Sequence, residues 1–277
     1  MAQIIITDST SDLPLDFVEE NKIHIVPLNI HLQDSLYKDG VDIQPSELYY
    51  RLRTEDIFPQ TSQPSAGEFM EIYQTLKPDD EVLVLCLSSE LSGTYQSAEM
   101  ARDMAAEEVD AEIHVVDSRF VSLGLGMQVI HAQKCFDEGK DMAQTLSELA
   151  EIRRRMRLIF AVDTLEYLAR GGRISQLSKR LGNLLQLKPV LHLEEGRIEV
   201  LDKVRTRSKA VQRMLEIFYK EASQAQQVGI LHIDAPTEGQ QLAQKVQEYY
   251  HGPLLLAQCG AVIGSHAGPG TVGICWY

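Results

Sequence analysis

Long hydrophobic runs are absent from this sequence of 277 residues. Its apolar segments, such as 82–87 and 158–162, are far shorter than the roughly 20 residues that a membrane-spanning helix needs. The N-terminus enters a predicted strand at 3–6 without the basic leader and apolar cleavage segment of a secretory signal. These absences predict a cytoplasmic protein, and they limit any membrane contact to a peripheral and transient one.

Cysteine is also scarce. The four residues of this type lack the paired spacing of a metal site: Cys86, Cys135, Cys259 and Cys275. Three of them fall in predicted strands, where a cysteine behaves as a small apolar residue. We therefore expect reduced core thiols, as in a cytosolic protein, and no bound metal.

Basic residues are outnumbered, since 26 Lys and Arg face 40 Asp and Glu. The net charge of −14 excludes nucleic acid as a partner of the molecule as a whole. The segment 151–213 departs from this balance, with 15 Lys and Arg against 7 Asp and Glu, or +8, which leaves −22 for the other residues. One interpretation of this excess is a set of solvated helix faces, for which 153–155 is the best example. The other is a docking surface. Arg170 and Arg173 flank two glycines on a predicted turn, and this position favours docking of an acidic partner, a phosphate or anionic lipid headgroups.

Familiar cofactor and catalytic motifs are missing as well. The chain has no Gly-x-x-x-x-Gly-Lys-Ser/Thr loop and no Gly-x-Gly-x-x-Gly after a strand, so ATP or a dinucleotide has no recognisable site. The glycines within 123–126 favour close helix packing instead. The elbow Gly-x-Ser-x-Gly is absent, which weighs against a hydrolase triad of Ser92, His266 and Asp117. The acidic run 8–12 suits a capped turn better than a magnesium site.

The sequence does contain several turns that are rich in polar side chains. The turn 61–65, Thr-Ser-Gln-Pro-Ser, precedes a helical pattern, where its hydroxyls suit either an N-cap or an anion. The turn 92–94, Ser-Gly-Thr, follows the apolar run 82–87 and opens a predicted helix. Free N–H groups and the helix dipole favour an anion there, although capping alone also explains the hydroxyls.

A third, glycine-rich turn at 265–273 carries His266. The flanking segments 257–262 and 272–276 read as strands, so we expect His266 at the exposed tip of a hairpin-like element. An imidazole in that position either contacts a ligand or is satisfied by carbonyl groups of the turn.

These three turns, together with the segments 4–13 and 165–175, resemble the DegV family of bacterial fatty-acid-binding proteins. The similarity covers essentially the whole chain. The resemblance implies a non-catalytic, lipid-binding subunit of fatty acid kinase. Such a subunit binds a long-chain fatty acid and presents its carboxyl group to a separate ATP-binding subunit, which forms the acyl phosphate for phospholipid synthesis.

The resemblance also implies that Thr61, Ser92 and His266 hold the carboxyl group, one residue from each turn. Additional head-group contacts are expected from residues beside them in the first two turns: Ser62, Gly93 and Thr94. The fatty acid is then the only ligand, and no cofactor is expected. Two alternatives stay open, a stand-alone Ser/His hydrolase and a sensor of a small anion that lacks a long apolar pocket.

The hydrophobic pattern predicts an α/β fold of two packed units, 1–157 with a mainly parallel sheet and 158–277 with a hairpin and the His266 turn. Predicted strands lie at 3–6, 23–30, 81–87, 113–116, 158–162, 189–193, 197–201 and 228–233, and predicted helices at 46–53, 66–76, 95–107, 126–138, 142–156, 176–185, 208–221 and 237–250. A crevice between α/β units is a common ligand site, so the head group is expected at the interface of the two units.

Overall fold

A computed structural model of the chain describes residues 2–173 and 188–277. The helix predicted at 176–185 lies outside the described residues. The helices are α1 (Leu15–Glu20), α2 (Pro45–Thr54), α3 (Ala66–Tyr73), α4 (Thr94–Ala105), α5 (Leu123–Asp137), α6 (Met142–Arg155), α7 (Glu166–Arg170), α8 (Arg207–Glu221), α9 (Pro236–Gln247) and α10 (Ala261–Ala267). The strands are β1 (Gln3–Asp8), β2 (His24–Val26), β3 (Asn29–Leu32), β4 (Ser35–Lys38), β5 (Gln60–Ser62), β6 (Glu81–Cys86), β7 (Glu112–Asp117), β8 (Arg157–Ala161), β9 (Lys188–Glu194), β10 (Arg197–Val204), β11 (Val228–His232), β12 (Leu254–Gln258) and β13 (Val272–Trp276).

The N-terminal half contains a parallel sheet in the order β2-β1-β6-β7. The single strand predicted at 23–30 is wrong, because this segment divides into β2 and β3. Pro27 lies between them, and it has no N–H group to donate to a sheet. As a result β3 joins a separate antiparallel sheet in the order β4-β3-β5, which positions Thr61 on β5.

The C-terminal half forms a six-stranded mixed sheet in the order β10-β9-β8-β13-β11-β12. The predicted hairpin is confirmed as the antiparallel pair β9 and β10. Glu195 and Gly196 at its tip both have positive φ, 47° and 79°, as the tightest hairpin turns require. The chain therefore has the mixed α/β fold that its sequence predicts.

The largest hydrophobic core runs across both halves of the chain. It joins Leu83 and Leu85 of the parallel sheet to Leu158 and Leu231 of the mixed sheet. A division into domains at 157 stays a prediction. Among the helices described, none has the length and apolar character needed to cross a membrane.

Helix α5 packs closely against the turn at 9–12, which follows β1, as the glycines within 123–126 predict. A Cβ atom on Gly126 would lie 2.3 Å from the carbonyl oxygen of Ser11, and one on Gly124 would lie 2.8 Å from the Phe120 side chain. The absence of a side chain at Gly126 lets α5 lie against the turn that follows β1, and its absence at Gly124 makes room for Phe120.

Candidate functional site

A largely apolar cavity is lined by residues from both halves of the chain. Its apolar lining comprises Leu28, Leu87, Leu91, Val121, Leu158, Phe160, Leu168, Ile198, Leu231, Ile233, Val262, Ile263 and Ala267, and its polar lining comprises Thr61, Ser92, Ser122, Arg173, His266 and Thr271. Its volume is about 80 Å³.

The prediction that His266 lies at the exposed tip of a hairpin is wrong. Residues 261–267 form helix α10, and His266 lies in its last turn, partly buried. The helix begins where it does because two distant carboxylates accept its first N–H groups. Asp12 bonds to the N–H of Gly260 at 2.8 Å, and Asp39 bonds to that of Ala261 at 3.1 Å.

The His266 ring is held from two sides. Its Nε2 atom lies 2.7 Å from the hydroxyl of Thr61. A Cβ atom on Gly171 would lie 2.4 Å from its Nδ1 atom, so the glycine allows the ring to approach α7. Nδ1 is buried and has no hydrogen-bond partner among the described residues.

Burial keeps this histidine uncharged. Burial, together with the positive charge of Arg173, lowers the pKa of His266 to about 4. At neutral pH the ring is therefore a neutral hydrogen-bonding group rather than a cation.

Ser92 reaches the cavity wall from the loop between β6 and α4, so the predicted order of strand, turn and helix is confirmed. Its hydroxyl lies 2.9 Å from that of Thr94 and also accepts the Thr94 N–H at 3.3 Å. The other predicted head-group residues, Ser62, Gly93 and Thr94, are not among the residues that line the cavity. Ser62 instead bonds to the His31 ring at 2.9 Å.

The two arginines predicted to dock a partner differ in their surroundings. Arg173 lies in the cavity wall and donates to the carbonyl groups of Leu91 at 3.2 Å and Gly171 at 2.5 Å. It is half-buried, which lowers the pKa of its guanidinium, and it forms no ion pair with another described residue.

Arg170 is exposed over 55% of its side chain. It pairs with Glu166 at 2.6 Å and lies over the Phe58 ring, 5.0 Å from the ring centre. No signal in the sequence separates this surface arginine from the one in the wall, because both flank the same two glycines.

The hydrolase triad is not assembled in the part of the chain that the structure describes. His266 bonds to Thr61 rather than to Ser92, and Asp117 accepts hydrogen bonds from the Ser89 hydroxyl and the Arg119 N–H. The expected cap in the run 8–12 is confirmed, since Asp8 accepts from the N–H and hydroxyl of Thr10 at the start of a short 3-10 helix.

One cluster of metal-ligand types occurs among the described residues. Donor atoms of His131, Cys135 and Glu148 lie within 4.8 Å of one another. Glu148, however, already pairs with Lys140 at 2.7 Å and bonds to His131 at 2.9 Å. Burial also raises the pKa of Cys135 to about 11, which keeps the thiol protonated. Lys140 therefore already balances the charge of Glu148. The sequence does not predict this cluster because Glu148 lies on α6, whereas His131 and Cys135 lie on α5.

The similarity of this sequence to known proteins extends over nearly all of the chain. Residues 3–277 match the sequence profile of the family described as "Uncharacterised protein, DegV family". A DegV domain-containing protein of Caldanaerobacter subterraneus is 37% identical, over 98% of this chain and 96% of the relative.

Solved structures extend the similarity to the fold. A fatty-acid-binding DegV family protein of Thermus thermophilus superposes with a TM-score of 0.92 and 39% identity, over 100% of this chain and 99% of that one. A stearic-acid-binding protein of Eubacterium ventriosum gives a TM-score of 0.91 at 26% identity, over 100% and 98% of the two chains.

Proposed function

The chain belongs to the DegV family, and we propose that it binds a long-chain fatty acid in the cavity that contains His266. The observation that carries this proposal is the distribution of polarity in the wall. Most of the lining is apolar, whereas Thr61, His266 and Arg173 supply hydroxyl, imidazole and guanidinium groups. A fatty acid has the same division between a long apolar tail and one polar end.

The tail and the head group have separate tasks. Burial contributes roughly 0.8 kcal/mol per methylene, so a long tail gains on the order of 10 kcal/mol before the costs of binding, whereas one neutral hydrogen bond nets about 1 kcal/mol. The tail therefore sets the affinity. The polar cluster sets the orientation of the carboxyl group.

Arg173 is the group best suited to balance the charge of a bound carboxylate. A buried carboxylate without a counter-charge is strongly disfavoured or becomes protonated. Arg173 is half-buried in the wall and has no acidic partner among the described residues, while the neutral His266 and Thr61 offer hydrogen bonds. Thr61, Ser92 and His266 would then orient the carboxyl group that Arg173 neutralises.

We further propose that the protein presents this carboxyl group to a separate ATP-dependent kinase subunit in the cytoplasm, which forms the acyl phosphate for phospholipid synthesis. The absence of nucleotide-binding motifs from the sequence supports a role without catalysis of its own. The exposed Arg170 is the candidate for docking the kinase or, transiently, a membrane surface.

Extraction of the purified protein and mass spectrometry of the extract test the ligand. We expect a long-chain fatty acid in near-stoichiometric amount. An empty protein that does not take up added fatty acid, or one that carries only a small anion, would contradict the proposal.

Single substitutions test the roles of the polar residues. Thr61→Ala, Ser92→Ala and His266→Ala are expected to retain lipid but to impair acyl phosphate formation with a partner kinase. Ser62→Ala is the matched control, because it removes a neighbouring hydroxyl that bonds to His31 away from the cavity wall. Full turnover in all three variants would mean that the carboxyl group is held elsewhere.

Alanine variants of the two arginines separate charge balance from docking. Arg173→Ala is expected to lose lipid. Arg170→Ala is expected to retain lipid but to lose kinase association, with the largest difference from wild type at low salt, where the charge contact is least screened. If Arg173→Ala retains lipid but loses turnover, Arg173 belongs to the docking surface. Unchanged behaviour of both variants would remove the arginines from the proposal.

A further inference from the structure

A second cavity is lined mostly by residues of the segment 151–213, which carries the excess of positive charge. Its walls are largely polar, whereas those of the first cavity are largely apolar. It has a volume of about 270 Å³, and its lining includes four arginines and two glutamates: Arg119, Arg153, Arg154, Arg157, Glu194 and Glu195. Three parts of the chain meet there: the turn after β7, the end of α6 with the start of β8, and the tip of the hairpin between β9 and β10. None of these residues lines the apolar cavity.

Three of its four arginines have acidic partners. Arg119 pairs with Glu195, Arg154 pairs with Glu151 at 2.7 Å, and Arg157 lies 3.7 Å from Glu221.

Arg153 is the exception. It donates to the carbonyl oxygen of Asp117 at 2.7 Å and forms no ion pair with any residue that the structure describes. It is half-buried, and burial and the like charge of Arg119 lower the pKa of its guanidinium, while the charge of Asp117 acts in the opposite direction. The Asp117 carboxylate forms no ion pair with Arg153, so it offsets the charge of this partly buried cation only in part.

The backbone brings a second guanidinium to the same space. Arg119 has φ of 58°, a left-handed conformation that is unfavourable for a residue with a side chain. The Asp117 carboxylate stabilises this turn by accepting the Arg119 N–H at 2.8 Å. The strained turn places Arg119 on the cavity wall together with Arg153, although the two charges repel.

We propose that this cavity binds a small phosphate-bearing anion, with Arg153 as the main contact and Arg119 as the second. Guanidinium groups donate paired N–H bonds to phosphate oxygens, and a dianion with several acceptor oxygens can satisfy two of them. The polar lining and the volume leave room for the phosphate of a small metabolite. A lipid headgroup carries the same chemistry, so the source is decided by experiment.

The test uses the full-length protein and pyrophosphate as the soluble probe, in phosphate-free buffer of low ionic strength. Calorimetric titration is expected to show binding that Arg153→Gln weakens at least about 10-fold, since hydrogen bonds to a charged group are lost. Arg119→Gln is expected to weaken binding less, about 3-fold, because Arg119 also pairs with Glu195. Pyrophosphate should also raise the thermal midpoint of the wild type but not of Arg153→Gln.

Arg155→Gln is the matched control. It removes the same charge from the same helix turn, yet Arg155 does not line the cavity and points towards Glu151 and Gln226. This variant is expected to bind within about 2-fold of the wild type, because Arg155 is exposed and acts on the bound anion only through water, where the interaction of two charges is weak. Circular dichroism verifies the fold of each variant, and Arg119→Gln keeps the test valid if Arg153→Gln does not fold.

Cosedimentation with vesicles identifies the source of the phosphate. Vesicles of phosphatidylcholine with phosphatidylglycerol are compared with phosphatidylcholine alone. One supporting outcome is that the wild type and Arg155→Gln bind the anionic vesicles, Arg153→Gln does not, and the wild type does not bind pyrophosphate. This outcome assigns the site to a lipid headgroup. Wild-type protein that binds neither probe, or binding that Arg153→Gln and Arg119→Gln leave unchanged, overturns the proposal.

Discussion

His266 illustrates how its surroundings give an ordinary residue a defined chemical state. Burial lowers its pKa to about 4, while the bond to Thr61 fixes the ring. A charged imidazole beside Arg173 would add a second cation to the same wall. The neutral ring instead leaves Arg173 as the only positive charge among the described residues that line the cavity.

The first prediction is that His266 does not titrate near neutral pH. Its pKa in the folded protein lies below the ordinary value of 6.5, so its contribution to stability is complete above pH 6.5 and is lost as the pH falls towards 4. Imidazole NMR signals of His266, assigned by comparison with His266→Gln, are expected to stay constant between about pH 8 and pH 5.5. A midpoint near 6.5 would show that the ring is solvated.

At the scale of elements, α10 and α5 owe their positions to contacts with remote parts of the chain. The carboxylates of Asp12 and Asp39 cap α10, and the hydroxyl of Tyr49 donates to the carbonyl groups of Cys259 and Gly260 just before it. These contacts fix the helix that carries His266. Helix α5 is fixed by the close approach of Gly126 to Ser11.

The second prediction concerns the caps of α10. Burial raises the pKa of Asp12 to about 7, and the charge of Asp39 adds to this effect against the hydrogen bonds from Ser122 and Gly260. Because the folded state favours the protonated carboxyl, the contribution of Asp12 to stability is lost as the pH rises towards 7.

Asp12→Asn removes this titration and keeps an oxygen that can accept the Gly260 N–H. Its free energy of unfolding, relative to wild type, is expected to increase between about pH 5 and pH 8. Urea unfolding at several pH values measures the difference. A difference that is independent of pH would mean that Asp12 is ionised at little cost throughout this range.

The third prediction compares two helical glycines. Alanine is favoured over glycine within a helix by about 1 kcal/mol. At position 126 the added Cβ atom would overlap the Ser11 carbonyl at 2.3 Å, so Gly126→Ala is expected to destabilise the protein by about 1–3 kcal/mol.

Gly67→Ala in α3 is the control, since the nearest atom to its added Cβ is the Ser65 hydroxyl at 3.6 Å. It is expected to be neutral or stabilising by up to about 1 kcal/mol. Denaturant unfolding of both variants provides the measurement. Equal changes in the free energy of unfolding at the two positions would argue against a tight contact between α5 and the turn that contains Ser11.

In the molecule as a whole, one hydrophobic core connects the parallel sheet to the mixed sheet. Buried leucines of β6 and β8 belong to the same cluster, and the apolar cavity is lined from both sides of position 157. The walls of the cavity are therefore also part of the core.

The fourth prediction is a single cooperative unfolding transition. The only tryptophan, Trp276, is 3% exposed on β13, so its fluorescence reports on the mixed sheet. Hydrogen exchange in β6 reports on the parallel sheet. Both probes are expected to give the same midpoint in denaturant, and added fatty acid is expected to raise both together. Separate midpoints would support two domains that unfold independently.

Elements whose signals are local could be predicted from the amino-acid sequence. The hairpin of β9 and β10 follows from alternation around a glycine turn, and α4 follows from an apolar run, a small turn and helix-forming residues. Family membership was also visible, because its motifs are continuous in the sequence. A cap, a turn or a periodic face is encoded within a few neighbouring residues, so these predictions hold.

Contacts that join distant parts of the chain form only in the folded protein and could not be predicted from local patterns. Thr61 and His266 are 205 positions apart, and the caps of α10 come from 222 and 248 positions away. Without those carboxylates in view, residues 257–262 appear as one strand, and His266 appears as an exposed turn residue. The burial that separates Arg173 from Arg170, and Arg153 from its neighbours on α6, also arises only when the sheets pack, because exposure depends on what the rest of the chain covers.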